Sequence, residues 1–162
     1  MLTATFDSTT RPNEGIVAAA RAAGYSVCFS SVSRRESRST DFAQHFEGHD
    51  EVPELCLLGE SALGHGRLGG QKDDDLLERI LEIISNGAFP ADRDQLSRGQ
   101  LHQLRDALAL EAHVASGRSI FVTADVKGFI THGRRECLQQ LLSTRILSCE
   151  EFQAEVSAQN DA

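Results

Sequence analysis

The apolar and polar positions of the chain alternate between two periods, which predicts a β/α succession. A short apolar run, Leu2 to Phe6, closes on Asp7 and predicts a first strand. Ser8, Thr9, Thr10 and Pro12 break it, and Asn13 then caps a helix in which Ile16, Val17, Ala20 and Ala23 recur at helical spacing until Gly24. Tyr25 to Ser30 predicts a buried strand, and Val32 to about Phe46 a helix. Strand, helix, strand, helix within fifty residues is the pattern of a parallel α/β sheet.

The pattern is less regular from 47 to 72, where Pro53 to Leu58 is a third strand candidate, followed by the glycine-rich GESALGHGRLGG. In DDDLLERILEIISNG, the aspartates suit the positive end of a helix macrodipole. Leu76, Leu77, Ile80, Leu81, Ile83 and Ile84 give that helix one strongly apolar face, for which core and dimer contact are both open readings. A polar loop leads to a helix over Gln100 to Ser116, striped by Leu101, Leu104, Leu108, Ala112 and Ala115 and stopped by Gly117. Ile120 to Thr123 predicts a strand closing on Ala124 and Asp125. A helix from Arg134 to Leu142, a short strand from Arg145 to Leu147 and a last helix from Ser148, opened by a capping box in SCEE, complete the chain.

Composition narrows the function classes. The chain has 162 residues, enough for one domain with a core, and 24 acids against 16 lysines and arginines give a net charge of −8. That excludes binding of nucleic acid by bulk positive charge and leaves room for carboxylates that hold a cation. No apolar run is long enough to span a membrane, and no secretory signal opens the sequence. Cys28, Cys56, Cys137 and Cys149 form no close pair, so a structural zinc site is not predicted and an intracellular location is.

Candidate chemistry lies where strands end. In an open parallel sheet the carboxyl ends of the strands form the ligand edge, and both Asp7 and Asp125 fall there. Each would otherwise be a turn or N-cap aspartate. Glu36 shares a helix face with Val32, Ala43 and Phe46, so its carboxylate needs a partner: one of Arg34, Arg35 and Arg38, or a metal ion. Asp106 lies opposite the leucine stripe of its helix and is either cleft-facing or solvated. His102 and His113 share its face, which makes a helical metal cluster a weak candidate. Glu111 and Glu60 are secondary acids. A further weak candidate joins Asp41, His45 and His49 at Asp-x₃-His-x₃-His spacing.

Three segments, TATFDSTTRPNEG, YSVCFSSVSRRE and RDALALEAHVASGRSIFVTADVKGFI running on through HGRRECLQQLLSTRILSCEEF, together resemble the PIN-domain family of metal-dependent nucleases. The family places an aspartate at the end of strand one, followed by hydroxyl or amide residues. It carries a glutamate on the helix after strand two, and an aspartate in a later helix ended by glycine, before a strand closing on Thr-x-Asp. Those positions correspond here to Asp7, Glu36, Asp106, Gly117, Thr123 and Asp125. The acid or amide many members carry two residues further on is Lys127.

The resemblance implies a single domain over 1–162 with a frayed tail of about eight residues. Its fold would be three-layer α/β/α with a mainly parallel sheet of about five strands. It further implies a cytoplasmic endoribonuclease, with an RNA-binding or protein-binding module that does not cleave as the alternative. Four converging carboxylates would repel one another unless a divalent cation offsets them, and hard oxygen donors select Mg²⁺ or Mn²⁺. Asp7, Glu36, Asp106 and Asp125 are the expected ligands, with Ser8, Thr9 and Thr123 orienting ligands or water. Arg34, Arg35, Arg38, Arg134 and Arg135 would contact RNA phosphates, or else form solvated helix faces with pairs inside each helix. An antitoxin-like protein partner and a homodimer are the further expected partners.

Overall fold

The structure is a computed structural model that describes residues 2–7, 14–37, 46, 48–61 and 66–160. Ser8, Thr9, Asn13, Arg38, Asp41 and His45 lie outside the described residues, and with them most of the Asp41–His45–His49 candidate.

In chain order the elements are β1 (Leu2–Phe6), α1 (Glu14–Ala22), β2 (Tyr25–Ser30), α2 (Ser31–Ser37), β3 (Asp50–Val52), β4 (Glu54–Leu55) and β5 (Gly66–Arg67). They continue as α3 (Gln71–Ser85), α4 (Arg98–Ala115), β6 (Ile120–Thr123), α5 (Val126–Phe129), α6 (Arg134–Leu142), β7 (Arg145–Ser148) and α7 (Cys149–Asn160). The central sheet has five strands in the order β3-β2-β1-β6-β7, all parallel, with helices on both faces, a three-layer α/β/α architecture.

Alternation along the strands feeds two cores. Ala4, Phe6, Val27, Phe29, Ile120 and Val122 turn toward α1 and α7, where Val17, Ala20, Phe152 and Val156 meet them. Phe121 and Ile146 turn the other way, onto α3, α4 and α6. The apolar face of α3 is core: Leu77, Ile80, Leu81 and Ile84 are all buried there. Gly24 and Gly117, at φ +84° and +62°, end α1 and α4 in the left-handed region that a side chain disfavours. α4 opens on a capping box, with Ser97 Oγ accepting from Gln100 N and Gln100 Oε1 accepting from Ser97 N. The predicted box at Ser148 and Glu151 forms in the same way. α7 runs on to Asn160, with Glu155 and Gln159 both bonded to the Tyr25 hydroxyl.

One expectation needs correction. The third strand of the sheet is Asp50–Val52, and the run from Pro53 to Leu58 contributes only Glu54–Leu55, paired with Gly66–Arg67 in a separate two-stranded sheet. Proline has no N–H to continue a ladder, so Pro53 marks the break between the two sheets. Of the helix expected over Val32 to Phe46, α2 covers Ser31–Ser37, capped by Ser30 Oγ accepting from Ser33 N at 3.2 Å, and 38–45 lie outside the described residues. His49 follows a turn at Gly48 and bonds Arg21 at 2.8 Å, so it does not extend a helical row from Asp41.

Candidate functional site

The strand order reverses between β1 and β6. The chain winds outward from β1 through β2 to β3, and from β6 to β7 on the other side. Such a switch point opens a crevice at the carboxyl ends of the two central strands, because the connections leave on opposite faces. Asp7 and Asp125 stand at that crevice, one residue beyond β1 and two beyond β6.

Both are held by the local backbone. Asp7 is buried, and its N–H continues the ladder to the Val122 carbonyl at 2.9 Å. Thr123, fully buried, donates its hydroxyl to Asp7 Oδ2 at 2.9 Å and accepts the Asp125 N–H at 2.9 Å, so one side chain fixes both strand ends. Asp125 also caps α5, with Oδ1 accepting from Gly128 N at 2.9 Å. The N-cap reading of Asp125 is therefore correct, and the cap places its carboxylate at the crevice. Gly128 is needed here: a Cβ on it would run into Asp125 Oδ2.

Asp106 comes from α4, half-buried, and turns toward these two rather than to solvent. Burial first, then the charges of Asp7, Asp125 and Glu36, push its pKa from 3.8 up to about 9. Burial and the other three acids thus act on a single carboxyl, which favours its protonated form in the absence of a cation. Among the described residues, no group of three or more His, Cys, Asp or Glu side chains is drawn together so as to hold a metal ion as it stands. Carboxylate oxygens are hard donors, the type that Mg²⁺ and Mn²⁺ take.

Glu36 has a partner that no sequence neighbour supplies. Arg105, one residue before Asp106 on α4, lies 3.6 Å from Glu36 Oε1 and 3.3 Å from Glu60 Oε2. Glu60 also lies 3.9 Å from Arg35, so it joins the site through arginines. An arginine next to a candidate aspartate on one helical turn is the sequence signal for this pair. Cys149, which opens α7, also feels Asp7; burial and the charges of Glu150 and Asp7 push its thiol up to about 11, so it stays protonated.

No family model, curated protein or solved structure matches the chain.

The remaining candidates lie elsewhere. Glu111 is fully buried and pairs with Arg67, which also bonds Asp73 at 2.8 Å; this ties β5 to α3 and α4, and burial raises the Glu111 pKa. His113 does not join Asp106, and His102 is exposed. His113 is fully buried between the Thr5 and Thr144 hydroxyls, at 2.8 and 2.7 Å, and burial with the charge of Arg118 pushes it down to about 3. The candidate arginines are engaged mostly between elements, with one pair inside a helix, Arg135 to Glu136 at 3.9 Å. Arg34 pairs with Glu51, Arg35 with the buried Glu54, Arg135 with both oxygens of Glu151, and Arg134 bonds the Lys127 carbonyl. No helix among the described residues is long and apolar enough to cross a membrane.

Proposed function

We propose that this chain is a cytoplasmic, Mg²⁺- or Mn²⁺-dependent endoribonuclease of PIN-like architecture, acting at the β1/β6 switch point. The observation that carries the reading is the placement of Asp106: a carboxyl whose pKa is raised to about 9 by burial first and then by the charges of Asp7, Asp125 and Glu36. Structural carboxyls are ordinarily paired with cations or donors. Asp7, Asp125 and Glu36 have such partners in Thr123, the Gly128 N–H and Arg105, whereas Asp106 is buried among their charges, and a perturbed carboxyl of that kind supports a functional site.

In this reading Asp7, Glu36, Asp106 and Asp125 hold the ion. When bound, the ion supplies an activated water and offsets charge on the phosphodiester. Thr123 ties the Asp7 carboxylate to the Asp125 backbone N–H, and the Gly128 N–H orients the Asp125 carboxylate. Arg105 neutralises Glu36 and Glu60 in the ion-free protein and is the cation best placed to meet a phosphate once the acids are engaged elsewhere. The net charge of −8 makes RNA binding weak and salt-sensitive, with room for an antitoxin-like or other protein partner to assist.

A second reading, a PIN-like module that binds RNA or a protein without cutting, is favoured by the Arg105–Glu36 pair, which gives one of the four acids a partner already. Cleavage of structured and single-stranded RNA separates the two. The enzyme reading expects hydrolysis with Mg²⁺ or Mn²⁺ that stops with EDTA and in Asp7→Asn. Equal activity in that variant, or activity that survives EDTA, sinks the mechanism; no cleavage of any RNA moves the assignment to the binding module.

A further inference from the structure

Arg35 and Arg105 come from different helices, α2 and α4, and meet over one carboxylate. Glu60 Oε2 lies 3.3 Å from Arg105 Nε and 3.9 Å from Arg35 Nη1. Each guanidinium also reaches a second acid: Arg105 Nη1 lies 3.6 Å from Glu36, and Arg35 Nη2 donates to Glu54 at 3.0 Å. Glu36 in turn acts on Asp106 through its charge, so the arginine pair borders the acid cluster.

The two acids on Arg35 differ in how firmly they are held. Glu54 is buried in β4, and its N–H donates to Ser31 Oγ at 2.9 Å. Glu60 stands on the turn at 57–60, beside the fully exposed Leu58 and beside Gly59 at φ +87°. The Arg105 and Glu60 side chains keep 27% and 21% of their surface in solvent, and such part-exposed pairs contribute little, so Glu60 exchanges readily for another anion. At 3.9 Å it is also too far from Arg35 for a hydrogen bond. Arg35 Nε and Nη1 are buried and have no hydrogen-bond acceptor among the described residues. A buried donor without an acceptor is costly, and a guanidinium fork matches the oxygens of a phosphate. Glu60 therefore covers an anion position that it fills incompletely. It serves one arginine at hydrogen-bond distance and leaves the other unsatisfied.

We propose that Arg35 and Arg105 form a phosphate subsite beside the acids, occupied in the free protein by the Glu60 carboxylate, which an RNA phosphate displaces. The contact is autoinhibitory, because a phosphate binds here only after the Glu60 pairs break. Its place in RNA cleavage rests on the ribonuclease reading, whereas anion binding and the competition by Glu60 are testable without cleavage.

The test is titration of inorganic phosphate into the metal-free protein in EDTA, at ionic strength held constant with sodium chloride. NMR signals of the Arg35 and Arg105 Nε–H groups and of the Gly59 amide report it. Wild type should bind weakly at the two arginines. Glu60→Gln keeps the shape of the side chain without its charge and should bind phosphate about fivefold or more tightly. Arg105→Gln in that background should abolish the gain. Glu136→Gln removes an equal charge at an exposed position on α6 and should leave the affinity unchanged. Equal affinity in Glu60→Gln and wild type, shifts that miss the arginines, or an equal gain in Glu136→Gln overturns the proposal. So does a Glu60→Gln protein with a lowered thermal midpoint and no gain in phosphate affinity, since Glu60 is then a structural partner only. Phosphate held at the arginines without any RNA cleavage upholds the subsite and removes the nuclease reading. Metal-dependent cleavage with no phosphate at the arginines removes the subsite alone.

Discussion

Replacing Asp106 with asparagine should make the metal-free protein more stable at neutral pH. The folded carboxyl titrates at about 9 against an ordinary 3.8, so the fold binds this proton more tightly than the unfolded chain does. A group with a raised folded pKa contributes fully below its unfolded value and loses that contribution as pH rises through the window from 3.8 to 9. At pH 7 the loss spans about three pH units at about 1.4 kcal/mol each, about 4 kcal/mol in all; water at the open rim screens part of it, leaving roughly 2–4 kcal/mol. Asparagine has nearly the same shape and no charge to bury, so the variant escapes this loss. Urea unfolding in EDTA at pH 4.5, 7 and 8.5 measures it. The variant should match wild type within about 1 kcal/mol at pH 4.5 and exceed it by roughly 2–4 kcal/mol at pH 7, with a larger gap at pH 8.5. Millimolar Mg²⁺ should then raise wild type and not the variant, since only an intact site gains from binding. An Asp106→Asn protein that is less stable at pH 7, or a difference that does not change with pH, would refute the convergence of the four acids.

Two further expectations concern the surroundings of the site. His113, buried neutral with a folded pKa of about 3 against 6.5, contributes stability that is complete above pH 6.5 and is lost as pH falls toward 3, up to about 5 kcal/mol over the full window; His113→Gln should flatten the fall in unfolding free energy between pH 7 and pH 4, and an unchanged slope contradicts the assignment. Gly128→Ala should leave the thermal midpoint within a few degrees, because alanine suits a helix better than glycine, while cleavage drops about tenfold or more as the new Cβ displaces the Asp125 carboxylate.

The sheet was legible because its central strands are short apolar runs stopped by an acid. β1 and β6 read directly as LTATF-D and IFVT-AD, and their ends are the site. The edge strand was not legible: Asp50–Val52 has three residues, two of them acidic, and takes its strand character from pairing with β2 alone. The neighbouring PELCLL has the apolar character of a strand, yet Pro53 and the turn at Leu58–Glu60 limit it to Glu54–Leu55. For single side chains the limit was the same. Sequence placed Glu36 toward the core and required a partner, but Arg105 lies 69 positions away and is brought in only by the packing of α2 on α4. In the sequence Asp106 stands open between cleft and solvent, because periodicity fixes a face of its own helix and not what that face meets. His113 reads as a polar residue opposite the leucine stripe, whereas α4 is buried nearly all round toward its C-terminal half.

The central claim, that four acids at the switch point form one divalent-cation site, is tested most directly by calorimetric titration of Mn²⁺ into the protein at pH 7 in two buffers of different ionisation heat. The account predicts one site, with close to one proton released per ion as Asp106 gives up its hydrogen, and loss of both binding and proton release in Asp106→Asn. Absence of binding at millimolar Mn²⁺, or binding that releases no proton and persists in the variant, would contradict it.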